Sequence, residues 1–189
     1  MGLDVVRVAI EAVLVVGDDD RGVLLIHHRS DSARNGRDVS VLERLASVVV
    51  TYDENGFYGH PDHIMANVVT RAALELAASP KRLYYPVAPK GVLERFVAGA
   101  RAQGVFLPAW ILDAGHTVSD DAVSTTMDVR NFAKQKHLAI ATHASQVDNA
   151  DLVTMDEELF TLLFGIEYYE RAWSRDVTSG DETDLFGGL

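Results

Sequence analysis

Ser47 to Ala78 reads SVVVTYDENGFYGHPDHIMANVVTRAALELAA, and its character changes twice along its length. Ser47 to Tyr52 is a β-branched run with the length of a buried strand in a parallel sheet. Asp53 to His60 is a loop in which Gly56 and Gly59 permit a tight backbone path. Pro61 to Ala78, rich in alanine and leucine and ended by Pro80, predicts a long helix. Pro61 suits the first helical position because its ring presets φ and its missing N–H had no partner there. Asp62 favours the same helix end electrostatically. Strand, loop, helix is the order of a βαβ unit.

The alternation extends outward. Leu83 to Val87 predicts the next strand and Pro89 to Gln103 the next helix, with Gly104 placed to stop it. Ser124 to Val129 reads as a strand and Asn131 to Gln146 as a helix. Asp156 to Phe164 reads as a shorter helix opened by acidic residues, and Ile166 to Trp173 as a last strand. Ahead of the central stretch, Val5 to Val16 and Val23 to His28 read as strands joined by the turn-like GDDDRG, which permits a hairpin. Val39 to Ala46 fits a short amphipathic helix. The pattern predicts an α/β protein, a Rossmann-like three-layer α/β/α sandwich with a mainly parallel sheet. In such folds ligands bind beyond the carboxyl ends of the strands.

With 189 residues, 48% of them hydrophobic, the chain has the size and apolar content of a single domain with a real core. The net charge of −11 argues against a phosphate backbone as partner. No apolar run is long enough to span a bilayer, and Asp4 and Glu11 interrupt the start, so no membrane partner and a cytoplasmic protein are expected. Cysteine is absent, so a metal would be held by histidine and carboxylates. The histidines are His27, His28, His60, His63, His116, His137 and His143. GxSxG, P-loop, GxGxxG and HExxH strings do not occur, which removes the usual serine hydrolase, nucleotide and zincin signals.

His60 and His63 lie three apart at the loop-helix junction, so both rings can face a pocket above the strand end. A capped helix with two incidental surface histidines would leave the clustering of Asp53, Asn55 and Gly59 with them unexplained.

The stretch TYDENGFYGHPDHI resembles the second motif of the LmbE/PIG-L de-N-acetylase family, especially its mycothiol-pathway deacetylase and amidase branch. KRLYY at Lys81 to Tyr85, the helix Lys134 to Gln146 ending HASQ, and the closing DETDLFGGL agree with it. The likeness runs from about Val39 to Leu189. It implies an LmbE-like fold and a zinc ion that activates water to remove an acetyl group from an N-acetylglucosamine-type amino sugar, a small-molecule substrate. By the same resemblance His63 is a zinc ligand and His60 assists at the oxyanion or leaving group. Asp62 orients His60, Tyr58 is a mobile group near the substrate, and Gln146 belongs to the outer shell.

Family members carry AHPDDE after the first strand, which supplies a His ligand, an Asp ligand and the Asp base. No HPDD precedes His60 here. The whole chain is therefore expected to form one LmbE-like domain in which residues 1–38 are divergent or shortened. VLVVGDDD at Val13 to Asp20 reads as an acidic turn between strands, with a shortened first motif using Asp18, Asp19 and Asp20 as the alternative. His27 and His28 are further nitrogen donors at a strand end. His116 reads as a solvated loop residue, and His137 and His143, six apart on one helix, are too far round to share a metal. Opposed to the deacetylase reading stands a catalytically inactive or truncated member that keeps the sugar-facing loop as a binding fold.

Overall fold

Val48, Val49 and Val50 are 0%, 0% and 7% exposed, the burial on both faces that a run of branched apolar residues predicts. A computed structural model describes residues 10–16, 23–28, 47–102, 104, 107, 116–142, 150–175, 182, 184–187 and 189. The expected helix at Val39 to Ala46 and the acidic turn with Asp18, Asp19 and Asp20 lie outside the described residues, as do His143 and Gln146. The chain divides into two compact units, Met1–Pro86 with Tyr169–Leu189, and Val87–Tyr168.

In the first unit, β1 (Ile10–Val16) and β2 (Val23–His28) pair antiparallel, Leu14 opposite Leu25, as a hairpin requires. The other side of β1 pairs antiparallel with β3 (Val48–Val50), Val15 opposite Val49. β3 then pairs in parallel with β4 (Arg82–Pro89), Val49 opposite Leu83. β7 (Ile166–Ser174) follows β4 in the strand order. The connection from β3 to β4 is α1, Pro61–Leu76, the helical crossover that parallel neighbours need. The mainly parallel sheet expected from the βαβ pattern is thus a mixed one. Periodicity marks β1 as a strand, but nothing in a valine-rich run fixes the direction of its partner.

His63, Ala66, Asn67 and Thr70 are the buried residues of α1; their spacing of i, i+3, i+4, i+7 defines the one face a helix turns inward. The helix stops at Leu76, and Arg175 Nη2 and Nε donate to the carbonyls of Ala77 and Pro80 at 3.1 and 3.2 Å. This basic group satisfies carbonyls left open at the helix end.

In the second unit the end of β4 pairs in parallel with β5 (Thr117–Val118), Ala88 opposite Thr117, and β6 (Thr125–Asp128) neighbours β7. The helices are α2 (Lys90–Ala102), α3 (Ala133–Ala141) and α4 (Glu157–Phe164). Leu93, Phe96 and Val97 of α2 pack with Leu107 and Leu163 around Ala100. Gly104 takes φ of +71° and its N–H returns to the Arg101 carbonyl, the helix stop expected of it. Asp156 caps α4 by accepting from the N–H groups of Glu158 and Leu159 at 2.9 and 3.3 Å. Among the described residues no helix is long and apolar enough to cross a membrane.

Candidate active site

The site is built on the loop between β3 and α1. Asp53 organises it: its carboxylate accepts from the Phe57 N–H at 2.7 Å and its carbonyl from the Gly56 N–H at 3.1 Å. This double hold keeps Phe57 at φ 63° and ψ −75°, a γ-turn conformation that costs a non-glycine residue about 1–3 kcal/mol. Gly56 and Gly59 sit at φ of +67° and +86°, so the chain turns back under the first turn of α1.

That path delivers the Gly56 carbonyl to the His63 ring. His63 is 7% exposed, and its Nδ1 lies 3.2 Å from the Gly56 oxygen. A carbonyl only accepts, so Nδ1 carries the proton and Nε2 the lone pair. A backbone carbonyl on one ring nitrogen is the usual support for a histidine whose other nitrogen coordinates a metal. His60 has the opposite arrangement. It occupies the N-cap of α1, where its Nδ1 accepts from the Asp62 N–H at 3.2 Å. The proton of neutral His60 therefore sits on Nε2, which is a donor. The Asp62 carboxylate lies 4.0 Å from the same Nδ1.

The two rings are 4.8 Å apart between centroids. Tyr58, 60% exposed, stands edge-on to both, 5.1 Å from His63 and 5.9 Å from His60. Thus His60, Asp62, Tyr58 and His63, the residues singled out from the sequence, meet at one place beyond the end of β3.

Three further residues had no signal strong enough to single them out. Tyr52 stacks on His63 at 3.7 Å with 10° between the planes. Asn67, 3% exposed, donates to the Tyr52 carbonyl at 2.7 Å and to the Tyr85 hydroxyl at 3.1 Å. The Tyr85 hydroxyl also accepts from Arg71 at 3.1 Å. The available clue was Asn67 itself, an amide one turn beyond His63 on the face that should be apolar.

Elsewhere, His137 has structural partners. His137 Nε2 donates to the Leu152 carbonyl at 2.9 Å, and its ring stacks on Phe160 at 4.4 Å. A cavity of about 520 Å³ beside Leu74, Ala77, Leu83, Trp173 and Arg175 lies at the far end of α1 from His63. Its size does not make it the site, because none of the paired imidazole chemistry faces it. No group of three or more histidines and carboxylates able to hold a metal occurs among the described residues.

No family model matches the chain. It is 34% identical over 167 residues to a 1D-myo-inositol 2-acetamido-2-deoxy-alpha-D-glucopyranoside deacetylase of Geodermatophilus obscurus, covering 79% of this chain and 57% of that protein. The same-named deacetylase of Thermomonospora curvata is 36% identical over 160 residues, 75% of this chain and 54% of that protein. That of Rhodococcus erythropolis is 33% identical over 184 residues, 87% of this chain and 62% of that protein. The chain thus spans between 54% and 62% of these curated relatives. Over the segment it shares with them, the chain is a relative of these deacetylases, as its resemblance to the LmbE/PIG-L family implies.

Proposed function

We propose that the loop Tyr52 to His63 is the acid side of an amide-hydrolysing site that acts on an N-acetylated amino sugar of the N-acetylglucosamine type. The observation that carries this reading is the opposite pairing of the two imidazoles, His63 Nδ1 against the Gly56 carbonyl and His60 Nδ1 against the Asp62 N–H, which leaves opposite tautomers. When water adds to the acetyl carbonyl carbon, negative charge develops on the carbonyl oxygen. A preset N–H such as His60 Nε2–H stabilises that charge. Cleavage of the C–N bond then places the proton lost by the attacking water on the departing amine, while the His60 Nε2–H stays hydrogen-bonded to the collapsing intermediate. Asp62 orients His60, its N–H held on the Nδ1 of that ring. Tyr58 at the rim contacts the sugar.

Zinc is the group the family resemblance implies. A catalytic zinc takes three protein ligands and an open position. The resemblance implies one ligand in this loop, His63, and the described residues hold no group of three. They do not fit a zinc by themselves, and no step is assigned to one. The second reading, a sugar-binding fold without turnover, rests on the sequence, in which no HPDD string precedes His60.

One experiment separates the readings: the full chain is mixed with the N-acetylglucosaminyl inositol named for its relatives, with and without added zinc, and free acetate is followed. Acetate release dependent on the protein supports the hydrolase. Saturable binding of the sugar without acetate leaves the binding fold and ends the hydrolase proposal.

A further inference from the structure

We propose that Asn67 is a positioning residue: by gripping the Tyr52 carbonyl it keeps the Tyr52 ring flat on His63 and so fixes the direction in which the His63 imidazole points. The inference rests on His63 being a working group of the site, and it adds the residue that aims it.

β3 ends at Val50, so Tyr52 lies past the last paired residue of the strand, where the backbone needs another hold. Thr51 has one in the Tyr84 carbonyl, which accepts its N–H at 3.1 Å. For the Tyr52 carbonyl the hold is Asn67, whose Nδ2 hydrogens are both used, one on that carbonyl and one on the Tyr85 hydroxyl. Asn67 is four residues beyond His63 on the same buried face of α1. The helix therefore carries both the imidazole and the clamp for the ring that stacks on it. Two constraints then act on His63, the Gly56 carbonyl at the Nδ1 edge and the Tyr52 ring across the face. A buried amide that served stability alone would need partners, but not this pair.

The test uses the full chain with ¹⁵N-labelled histidine, at about pH 8 where imidazoles are neutral, and reads the ring nitrogens of His63 by NMR without substrate or metal. Wild type is expected to show His63 in the Nδ1–H form with slowed proton exchange. Asn67→Asp keeps the shape and removes both donations; it is expected to mix the two tautomers and to speed exchange of the Nδ1 proton by about tenfold or more. Tyr85→Phe removes the other acceptor of Asn67 and leaves the Tyr52 bond, so it is expected to keep the wild-type pattern. Should Asn67→Asp not fold, Asn67→Ala gives the same reading.

A folded Asn67 variant with an unchanged His63 pattern would overturn the assignment. So would a Tyr85→Phe pattern as disturbed as that of Asn67→Asp, or a wild-type His63 protonated at Nε2. Because the readout needs no turnover, a protein that releases no acetate yet shows the expected pattern counts against the hydrolase reading alone.

Discussion

A methyl group at Gly56 would lie 2.7 Å from Ile64 Cγ1 and 2.9 Å from the Ile64 nitrogen, on a backbone with φ of +67°. Neither neighbour has room to give way, since one is the first turn of α1 and the other part of its backbone. Gly56→Ala is therefore expected to destabilise the protein by about 1–3 kcal/mol in denaturant unfolding, and to displace the carbonyl that holds His63. Tyr84 gives a pH-dependent prediction. Its phenol is pushed above the ordinary tyrosine value, first by burial and then by its hydrogen bond to Glu182 at 3.0 Å. A raised folded-state value means the unfolded chain loses the proton first. The contribution of Tyr84 is thus complete below about pH 10 and is lost as pH rises toward the higher value in the fold. Tyr84→Phe is expected to flatten the alkaline fall of the melting temperature relative to wild type; two parallel curves would contradict it. At this scale the grouping of His60, Asp62, Tyr58 and His63 in one loop was legible from the sequence. Tyr52 and Asn67 were not singled out, because stacking and carbonyl contacts depend on where the backbone bends.

The boundaries of elements were legible where composition changes abruptly. Pro61 opens α1 as expected, and Asp156 stands just before α4 as its cap. Asp156→Ala is expected to cost about 1 kcal/mol, measured by chemical denaturation, since two N–H groups at the start of α4 lose their acceptor. The predicted helix from Asn131 to Gln146 is described as the turn Arg130–Phe132 followed by Ala133–Ala141. Propensity alone does not resolve how such a helix opens. The pairing of β1 was the larger departure, because strand direction is settled by the connection and not by the strand's own residues. A hairpin partner on one side and β3 on the other make both of its pairings antiparallel.

On the scale of the whole chain, two of the family-like segments, KRLYY and DETDLFGGL, come together within the first unit. Glu182, whose side chain is 5% exposed, is 3.7 Å from Arg82, 1% exposed, and also pairs with Arg171. Arg82 Nη1 further reaches the Leu185 carbonyl at 3.4 Å, while its Nε and Nη2 are buried without a hydrogen-bond partner among the described residues. Glu182→Leu is expected to cost about 3–5 kcal/mol because it strands buried guanidinium charge. An equilibrium unfolding curve that does not move would show that the tail contributes nothing. Nothing local in a polar tail announces a partner about a hundred residues earlier, which is why this contact could not be read from the pattern. The relatives connect the chain to deacetylases, and the paired imidazoles of one loop are the proposed chemical centre. The direct test is the rate of acetate release from the N-acetylglucosaminyl inositol by wild type, His60→Ala and His63→Ala under identical conditions. The account predicts release by wild type and a fall of about a hundredfold or more in each variant. No release by wild type, or a rate unchanged in either variant, would contradict it.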